Sequence, residues 1–221
     1  MCGRYASSRR ADDLVAHFEV EENAAEELPP SWNVAPTDAV FGVLQRNRVR
    51  QLRVLRWGLV PSWSKDPKVG ARFINARQET VAEKPAFRAA YQRRRALLPA
   101  DGYFEWQPYG GGKQPWYLTS RDGEPLAFAG LYEVWRAPDD SLLWTCTIVT
   151  TTAPDEVGAI HDRAPLLVAR SDWGRWLDHD VPEPGNLLVP GVPGVLDAWP
   201  VGRAVGNVRH NGPGLVEPLT G

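Results

Sequence analysis

The sequence has few of the residues that disulfides and metal sites require. Its 221 residues include two cysteines, Cys2 and Cys146, and four histidines. A disulfide framework is therefore not expected. Neither Cys-x-x-Cys nor His-Glu-x-x-His occurs, and no glycine-rich loop is followed by Lys-Ser/Thr. A metal site, a nucleotide site or any other cofactor has no support in the sequence.

Long apolar runs are also missing, and none approaches the length of a membrane span. The charged residues Arg9, Arg10, Asp12 and Asp13 occupy the region where a signal peptide would be apolar. We therefore expect a cytoplasmic protein without a membrane partner, in a compartment that keeps Cys2 reduced. The formal net charge of -2 argues against a large duplex-binding surface, although it leaves room for a local positive groove.

Alternation of polar and apolar residues predicts a chain made mainly of strands. The predicted strands are Val40–Leu44, Val49–Trp57, Leu97–Trp106, Trp116–Thr119, Leu126–Trp135 and Leu142–Thr150. Helices are predicted at Ser8–Val20 with a serine cap, at Pro85–Arg95, and after Thr152 and Ser171. Because the strands do not alternate regularly with helices, we expect one α+β domain over residues 1–221. Its core would be a curved, mainly antiparallel, barrel-like sheet with a few flanking helices.

The N-terminus carries the most informative chemistry. Met1 precedes the small residue Cys2, so we expect an aminopeptidase to remove it. Cys2 would then hold a free α-amine beside its thiol. The amine condenses with an aldehyde to an imine, and the thiol closes on that imine as a five-membered thiazolidine. The same residue could instead attack an ester or amide, or be a frayed end without a role.

The segment Phe73–Arg77 places polar groups on one face of a predicted strand. Asn75 and Arg77 lie on one side, while Ile74 and Ala76 lie on the other. An amide beside a guanidinium is typical of a phosphate or sugar clamp. The alternative is a surface arginine in a salt bridge.

The segment Tyr103–Trp106 alternates in the same way. Phe104 and Trp106 would share one face, and Tyr103 and Glu105 the other. A carboxyl among aromatic rings is partly desolvated, which raises its pKa towards the range of a working acid or base. The alternative is a glutamate on the solvent face of a strand.

His161 has the richest polar surroundings of the four histidines. Asp162 or a backbone carbonyl could fix the tautomer of its imidazole, and Arg163 adds a second group able to bind phosphate. The alternative is a histidine that interacts with the carbonyls at a helix end.

Taken in order, these segments resemble the family of SOS response-associated peptidases, the SRAP domain, over nearly the whole chain. The motifs that carry the resemblance are Cys2-Gly3-Arg4-Tyr5, Asn33-Val34-Ala35-Pro36, Trp57-Gly58-Leu59, Ile74-Asn75-Ala76-Arg77, Phe104-Glu105-Trp106, His161-Asp162-Arg163 with Pro165, and Ala204-Val205-Gly206-Asn207-Val208. Any one motif is weak, but the ordered set is specific.

The resemblance implies a protein of the DNA damage and SOS response. Such a protein binds abasic sites in single-stranded DNA and shields them by a covalent DNA–protein crosslink. It also implies lyase-like activity, autopeptidase removal of Met1, a monomer, and association with the nucleoid. The implied catalytic residues are Cys2 as nucleophile, Asn75 holding the opened sugar, Glu105 as acid/base and His161 assisting ring opening. The implied DNA contacts are Arg4, Trp63, Arg77 and Arg163.

Two positions depart from the family pattern. Ser64 follows Trp63 where some relatives have a second tryptophan, so the stacking wedge would be weaker. Ala164 replaces a larger residue between Arg163 and Pro165. Two other hypotheses remain open. One is an N-terminal-thiol peptidase or amidohydrolase, because glutamine amidotransferases also begin Met-Cys-Gly. The other is a non-catalytic binder of single strands.

Overall fold

The computed structural model describes residues 2–181, 184–188 and 194–219. Met1, and with it the predicted removal of the first residue, lies outside the described residues. Within them, none of the helices is both long and apolar enough to cross a membrane.

The strands of the described residues are β1 (Tyr5–Ser7), β2 (Glu22–Asn23), β3 (Ser31–Val34), β4 (Ala39–Arg46), β5 (Val49–Trp57), β6 (Asn75–Arg77), β7 (Arg95–Ala100), β8 (Gly102–Tyr109), β9 (Gly112–Ser120), β10 (Leu126–Arg136), β11 (Leu142–Thr152), β12 (Arg163–Pro165) and β13 (Leu196–Pro200). The α-helices are α1 (Ala11–His17), α2 (Arg88–Arg93), α3 (Asp155–Gly158) and α4 (Trp173–Leu177). Short 3₁₀ turns span Pro67–Arg72, Arg170–Asp172, Gly185–Leu187, Arg203–Gly206 and Pro213–Leu215.

Five strands close into a barrel in the order β5-β4-β7-β10-β11. Neighbours along this path are antiparallel, and β11 closes the ring by pairing in parallel with β5, with Cys146 opposite Trp57. Side chains alternate along each strand. Leu55, Phe128 and Ile148 belong to one buried cluster, while the apolar residues next to them in each strand point the other way and pack in the cluster that includes the helices. The predicted α+β architecture is confirmed.

A second sheet carries the N-terminus in the order β13-β9-β8-β1-β3. The short strand β1 is held between two partners, since Tyr5 pairs with Tyr103 of β8 and with Val34 of β3. The backbone amide of Phe104 also donates to the carbonyl of Arg4 (3.0 Å). The start of the chain is therefore fixed against the strand that carries Glu105.

The predicted strand Leu97–Trp106 is wrong, because the structure divides it into β7 and β8 in two different sheets. The chain turns at Asp101, whose carboxylate accepts hydrogen bonds from the backbone amide (2.6 Å) and the hydroxyl (2.8 Å) of Ser8. That use of Ser8 also explains why it does not cap α1, which begins only at Ala11 without a side-chain cap. Asp101 therefore marks the break between β7 and β8, and by binding Ser8 it also affects where α1 begins.

The predicted helix to Arg95 is also too long, since α2 ends at Arg93 and Arg95 opens β7. Arg95 is fully buried, and within the described residues its hydrogen bonds all go to backbone carbonyls. Its acceptors lie around the C-terminal ends of α2 and α4: Tyr91 (2.8 Å), Gln92 (3.1 Å), Trp176 (2.5 Å), Asp178 and Val181 (2.9 Å). One guanidinium therefore satisfies carbonyls that both helix ends would leave unpaired.

We predict that Arg95→Met destabilises the protein by at least about 3 kcal/mol, because several buried carbonyls lose a charged donor together. Urea unfolding measures the change in the free energy of unfolding. Arg94→Met, which removes a half-buried guanidinium paired with Glu133 (2.7 Å), is the matched control with a smaller loss. Equal losses for the two variants would refute the capping role of Arg95.

Candidate functional site

The Cys2 side chain is fully buried and lies in the same apolar cluster as Tyr5, Trp57 and Tyr103. Its backbone carbonyl accepts a hydrogen bond from Nδ2 of Asn75 (2.8 Å). Burial, and secondarily the charge of Glu105, raises the pKa of the Cys2 thiol well above its ordinary value. The sulfur is therefore a neutral thiol in this setting, and it needs a nearby base to attack as a nucleophile.

Asn75 reaches Cys2 because β6 joins the barrel edge in parallel with β11, opposite Ile148. The carbonyl of the preceding Ile74 accepts from the indole of Trp57 (2.9 Å) and from the amide of Ile148 (3.1 Å), which fixes the strand. As the alternation predicted, Ala76 is buried while Arg77 is exposed. The Oδ1 atom of Asn75 is buried and has no hydrogen-bond partner among the described residues.

Glu105 lies on β8 on the face that the alternation predicted, and it is 2% exposed. Tyr103 of the same face belongs to the cluster of Cys2, whereas Phe104 and Trp106 pack into a different cluster. Burial raises the pKa of Glu105 to about 7. The predicted desolvation of this carboxyl is confirmed, and the solvent-exposed alternative is wrong. At neutral pH the group is divided between acid and base.

His161 faces Glu105, with 4.0 Å between its Nε2 and Oε2 of the carboxyl. Partial burial lowers the pKa of His161, so the imidazole is neutral at pH 7. Its Nδ1 accepts from the backbone amide of Arg163 (3.0 Å), which places the ring proton on Nε2, towards Glu105. Asp162 Oδ1 lies 3.0 Å from Nδ1, but this side chain is 87% exposed, so water screens its charge. The backbone amide therefore fixes the tautomer.

Two of the predicted phosphate-binding arginines make contacts within the protein. Arg163 forms a forked pair with both carboxylate oxygens of Glu79 (2.5 and 3.1 Å) and donates to the carbonyl of Thr150 (2.7 Å). Arg4 donates to Asn33 Oδ1 and to the carbonyl of Val205, both at 2.9 Å. These contacts tie distant segments of the chain to the site.

The sequence reasoning missed the partners Glu79, Asn33 and Val205. A signal for two of them was present, because Asn33 and Val205 lie in motifs that recur in order with Arg4. Their physical role is to hold its guanidinium, while Nδ2 of Asn33 also donates to the carbonyls of Asn207 (3.0 Å) and His210 (2.9 Å). Glu79 lies 84 residues from Arg163, and no local pattern marks it.

Trp63 and Arg77 are the predicted DNA contacts that remain open to solvent. The Trp63 side chain is 66% exposed. Its loop is anchored by the indole of Trp135, which donates to the carbonyl of Ser64 (2.7 Å). Arg77 is exposed and forms no ion pair within the described residues. An exposed ring on an anchored loop and an exposed guanidinium outside any ion pair of the described residues suit a nucleic-acid surface.

The described residues contain no group of three or more His, Cys, Asp and Glu side chains able to hold a metal ion. The structure brings together the predicted residues Cys2, Asn75, Glu105 and His161. A thiol, an amide, a half-ionised carboxyl and a neutral imidazole at one site can carry out proton-coupled addition to a carbonyl group.

Fold and site together define a class of β-barrel protein in which a thiol near the start of the chain lies beside a carboxyl–imidazole pair. The model of the family "SOS response associated peptidase (SRAP)" matches residues 1–208. The chain belongs to this family.

Curated relatives match the chain over nearly their whole length. The abasic site processing protein YoqW of Bacillus subtilis is 36% identical over 222 residues, which cover 98% of this chain and 99% of the relative. The abasic site processing protein YedK of Escherichia coli is 33% identical over 228 residues, covering 99% and 100%.

A solved structure has the same fold. The crystal structure of a protein from Bacteroides thetaiotaomicron superposes with a TM-score of 0.88 at 22% identity and covers 99% of this chain and 100% of that one. The barrel with its second sheet is therefore the fold of this neighbour as well.

Proposed function

We propose that this protein processes abasic sites in single-stranded DNA, and that it captures the opened sugar covalently as a thiazolidine on Cys2. The observation that carries the proposal is the convergence of Cys2, Asn75, Glu105 and His161 at one largely buried site. The relatives that are 33–36% identical over nearly the full length are named abasic site processing proteins. The reaction requires a free α-amine on Cys2, and hence the loss of Met1.

The abasic sugar must open before it can react, since its closed hemiacetal offers no carbonyl. The carboxylate of Glu105 accepts the proton of the anomeric hydroxyl and passes it to the ring oxygen as that oxygen leaves the anomeric carbon. Nε2–H of His161 donates a hydrogen bond to the same oxygen and keeps its own proton. The products are an open aldehyde and a free hydroxyl on the former ring oxygen. Oδ1 of Asn75, buried and unpaired among the described residues, accepts a hydrogen bond from that hydroxyl.

Capture then proceeds in two bond-forming steps. The neutral α-amine, whose pKa is ordinarily about 7.7–8.0, adds to the aldehyde carbon. The resulting carbinolamine loses water to give an imine, and protonated Glu105 supplies the proton that the departing hydroxyl needs. The sulfur of Cys2 next adds to the imine carbon, and its proton passes to the imine nitrogen by way of Glu105. The sum is one aldehyde and one aminothiol giving one thiazolidine and one water.

The pKa of about 7 suits Glu105 to both roles, because it serves as acid and as base at neutral pH. The adjacent sulfur closes the ring intramolecularly, where effective molarities are very high. Ring closure also consumes the imine before β-elimination can occur, so the DNA strand stays intact. Shielding of the lesion, rather than strand cleavage, follows from this order of events.

Arg77 and Trp63 form the surface we assign to the DNA strand, with Arg77 on a phosphate and Trp63 against a base. The missing base at the lesion leaves a gap in the stack, which makes a kink there inexpensive. A short footprint of this kind needs few cations, in keeping with the net charge of -2. Arg4 and Arg163 would contribute to DNA binding chiefly indirectly, because their contacts within the protein hold the site in place.

We predict that Arg77→Gln weakens binding to intact single-stranded DNA about five- to tenfold and reduces the salt slope of the affinity by about 0.7, the share of one phosphate. Fluorescence anisotropy at several salt concentrations measures both quantities. Arg136→Gln is the control, because that exposed arginine already pairs with Asp140 (3.1 Å) at a hairpin tip. An unchanged slope for Arg77→Gln would remove this residue from the DNA surface.

Incubation of the processed protein with three oligonucleotides tests the proposal itself. An abasic single strand should give a band that survives a denaturing gel. An intact strand and a strand with a tetrahydrofuran lesion, which has no aldehyde, should not. Ammonia release from glutamine, or peptide cleavage beyond Met1, without any retained band would favour the amidohydrolase or peptidase instead.

A further inference from the structure

Tyr103 holds a polar group that the proposed reaction has not used. Its side chain is 0% exposed. Its hydroxyl is buried and has no hydrogen-bond partner among the described residues. Such groups are uncommon in folded proteins, because a buried hydroxyl without a partner costs stability. A bound water, a ligand or a reaction can account for such a group.

The phenol is directed to the pocket of Cys2. Tyr103 shares one face of β8 with Glu105, two residues away, and it belongs to the buried cluster of Cys2. Glu105 acts electrostatically on its hydroxyl when it is ionised, as a thiolate at Cys2 would. The ring has little freedom, since it packs edge-on against Phe128 with centroids 5.9 Å apart. Because Tyr103 and Cys2 share this buried cluster and interact electrostatically, the hydroxyl lies near the place where the sulfur reacts.

We propose that the Tyr103 hydroxyl is a catalytic hydrogen-bond donor to the aldehyde oxygen of the opened sugar. This inference rests on the proposed function and adds a residue to it. As the amine lone pair bonds to the carbonyl carbon, the π pair moves to oxygen, and the donor stabilises the charge that develops there. Tyr103 transfers no proton, because the proton lost by nitrogen reaches the oxygen through Glu105.

A buried phenol suits this task. Burial raises the pKa of Tyr103 well above its ordinary value. The hydroxyl therefore stays protonated at the pH values at which the α-amine of Cys2 is neutral and reacts. The Tyr103 hydroxyl is a donor for the aldehyde oxygen of the opened sugar. Oδ1 of Asn75, a buried acceptor, serves the hydroxyl on the former ring oxygen. A base-bearing nucleotide has a closed sugar with no aldehyde to place there, so the pair would also select for the lesion.

The test is Tyr103→Phe, which keeps the ring and removes only the hydroxyl. We expect crosslinking to slow at least about tenfold with an unchanged pH profile, because Tyr103 does not titrate in the working range. The melting temperature should stay the same or rise by about 2–4 °C, since the lost group has no partner to leave behind. A structural hydroxyl would give the opposite pattern, a lower melting temperature and an unchanged rate, and would overturn the inference.

The matched control is Tyr117→Phe on the neighbouring strand β9. Its hydroxyl interacts with Thr119, so this variant should melt lower while it crosslinks at the wild-type rate. A slowing by Tyr117→Phe equal to that by Tyr103→Phe would mean that any missing phenol disturbs the pocket, and would count against the specific role.

Binding to a reduced abasic site separates this inference from the proposed function. Borohydride reduction of the open sugar leaves a terminal hydroxyl that cannot crosslink. Tyr103→Phe should bind this strand about five- to tenfold more weakly than the wild type does and bind a tetrahydrofuran strand equally well. If the wild type forms no crosslink but this difference appears, the capture proposal fails and the Tyr103 contact stands. If the difference is missing, the contact is refuted even where crosslinking occurs.

Discussion

Cys2→Ser abolishes the adduct that survives denaturation, and we expect this to be the largest effect of any single substitution. Serine is small enough for Met1 removal, so the variant keeps its α-amine and still forms an imine with the abasic aldehyde. Its hydroxyl is a far weaker nucleophile than sulfur and does not trap that imine. The variant should therefore give an adduct only when borohydride is present, and strand cleavage by β-elimination should increase. Denaturing gels with and without borohydride measure both products.

Cys146→Ala is the matched control, since it removes the second thiol of the chain from the same buried cluster. It should crosslink like the wild type, with some loss of stability from the smaller side chain. A borohydride-independent adduct in Cys2→Ser, or its loss in Cys146→Ala, would contradict the assignment of the nucleophile.

Glu105→Gln should slow crosslinking at pH 7 by about 100-fold, within the range typical of a lost general acid or base. The rate of the wild type should peak near pH 7, because the pKa of Glu105 is about 7. Below that pH the carboxylate that accepts protons is lost, and above it the carboxylic acid that donates to the departing hydroxyl is lost. The amide variant has neither form, so its rate should follow only the deprotonation of the α-amine. Single-turnover kinetics from pH 5.5 to 9 separate the two profiles.

The same substitution should stabilise the protein at alkaline pH. Burial raises the pKa of Glu105 above its value in the unfolded chain, so between about pH 4.5 and 7 the folded state binds more protons and stability falls as pH rises. Above pH 7 the whole cost is present, on the order of 3 kcal/mol for a shift of this size. Glu105→Gln removes it. Thermal unfolding at pH 5 and pH 8 should show a gain at pH 8 only.

Glu133→Gln is the comparison for both measurements. Glu133 is another buried carboxylate, but Arg94 pairs with it at 2.7 Å. Its amide variant should lose stability at pH 8 and keep its crosslinking rate. If Glu105→Gln is slower but also less stable at pH 8, the ionised carboxyl stabilises the fold. The slow rate would then reflect damage to the structure and not the loss of an acid or base.

Several parts of the fold and site were predictable because they depend on local patterns. The bounds of β5, Val49–Trp57, match the alternation of the sequence. The shared face of Asn75 and Arg77 and the desolvation of Glu105 follow from period two alone. In each case one side of a short strand is apolar enough to be buried, which fixes the direction of the other side.

The parts that were not predictable depend on contacts distant in sequence. Closure of the barrel needs the parallel pairing of β11 with β5, and the sequence gives no sign of which strands meet. The break between β7 and β8 depends on Asp101 binding Ser8, 93 residues away. The ion pair of Arg163 depends on Glu79, which lies far away in the sequence. The Tyr103 hydroxyl lacks a partner because the folded chain places no hydrogen-bonding group of the described residues beside it, and no local pattern reports this.

Intact-mass spectrometry of the protein after incubation with an abasic single strand tests the central claim most directly. The account predicts a chain that begins at Cys2 and a complex whose mass is the sum of protein and oligonucleotide less one water, unchanged by borohydride. A complex that gains two hydrogens on borohydride treatment would be an open imine, and recovery of only the free protein would mean that Cys2 does not capture the sugar. Either result would contradict the account.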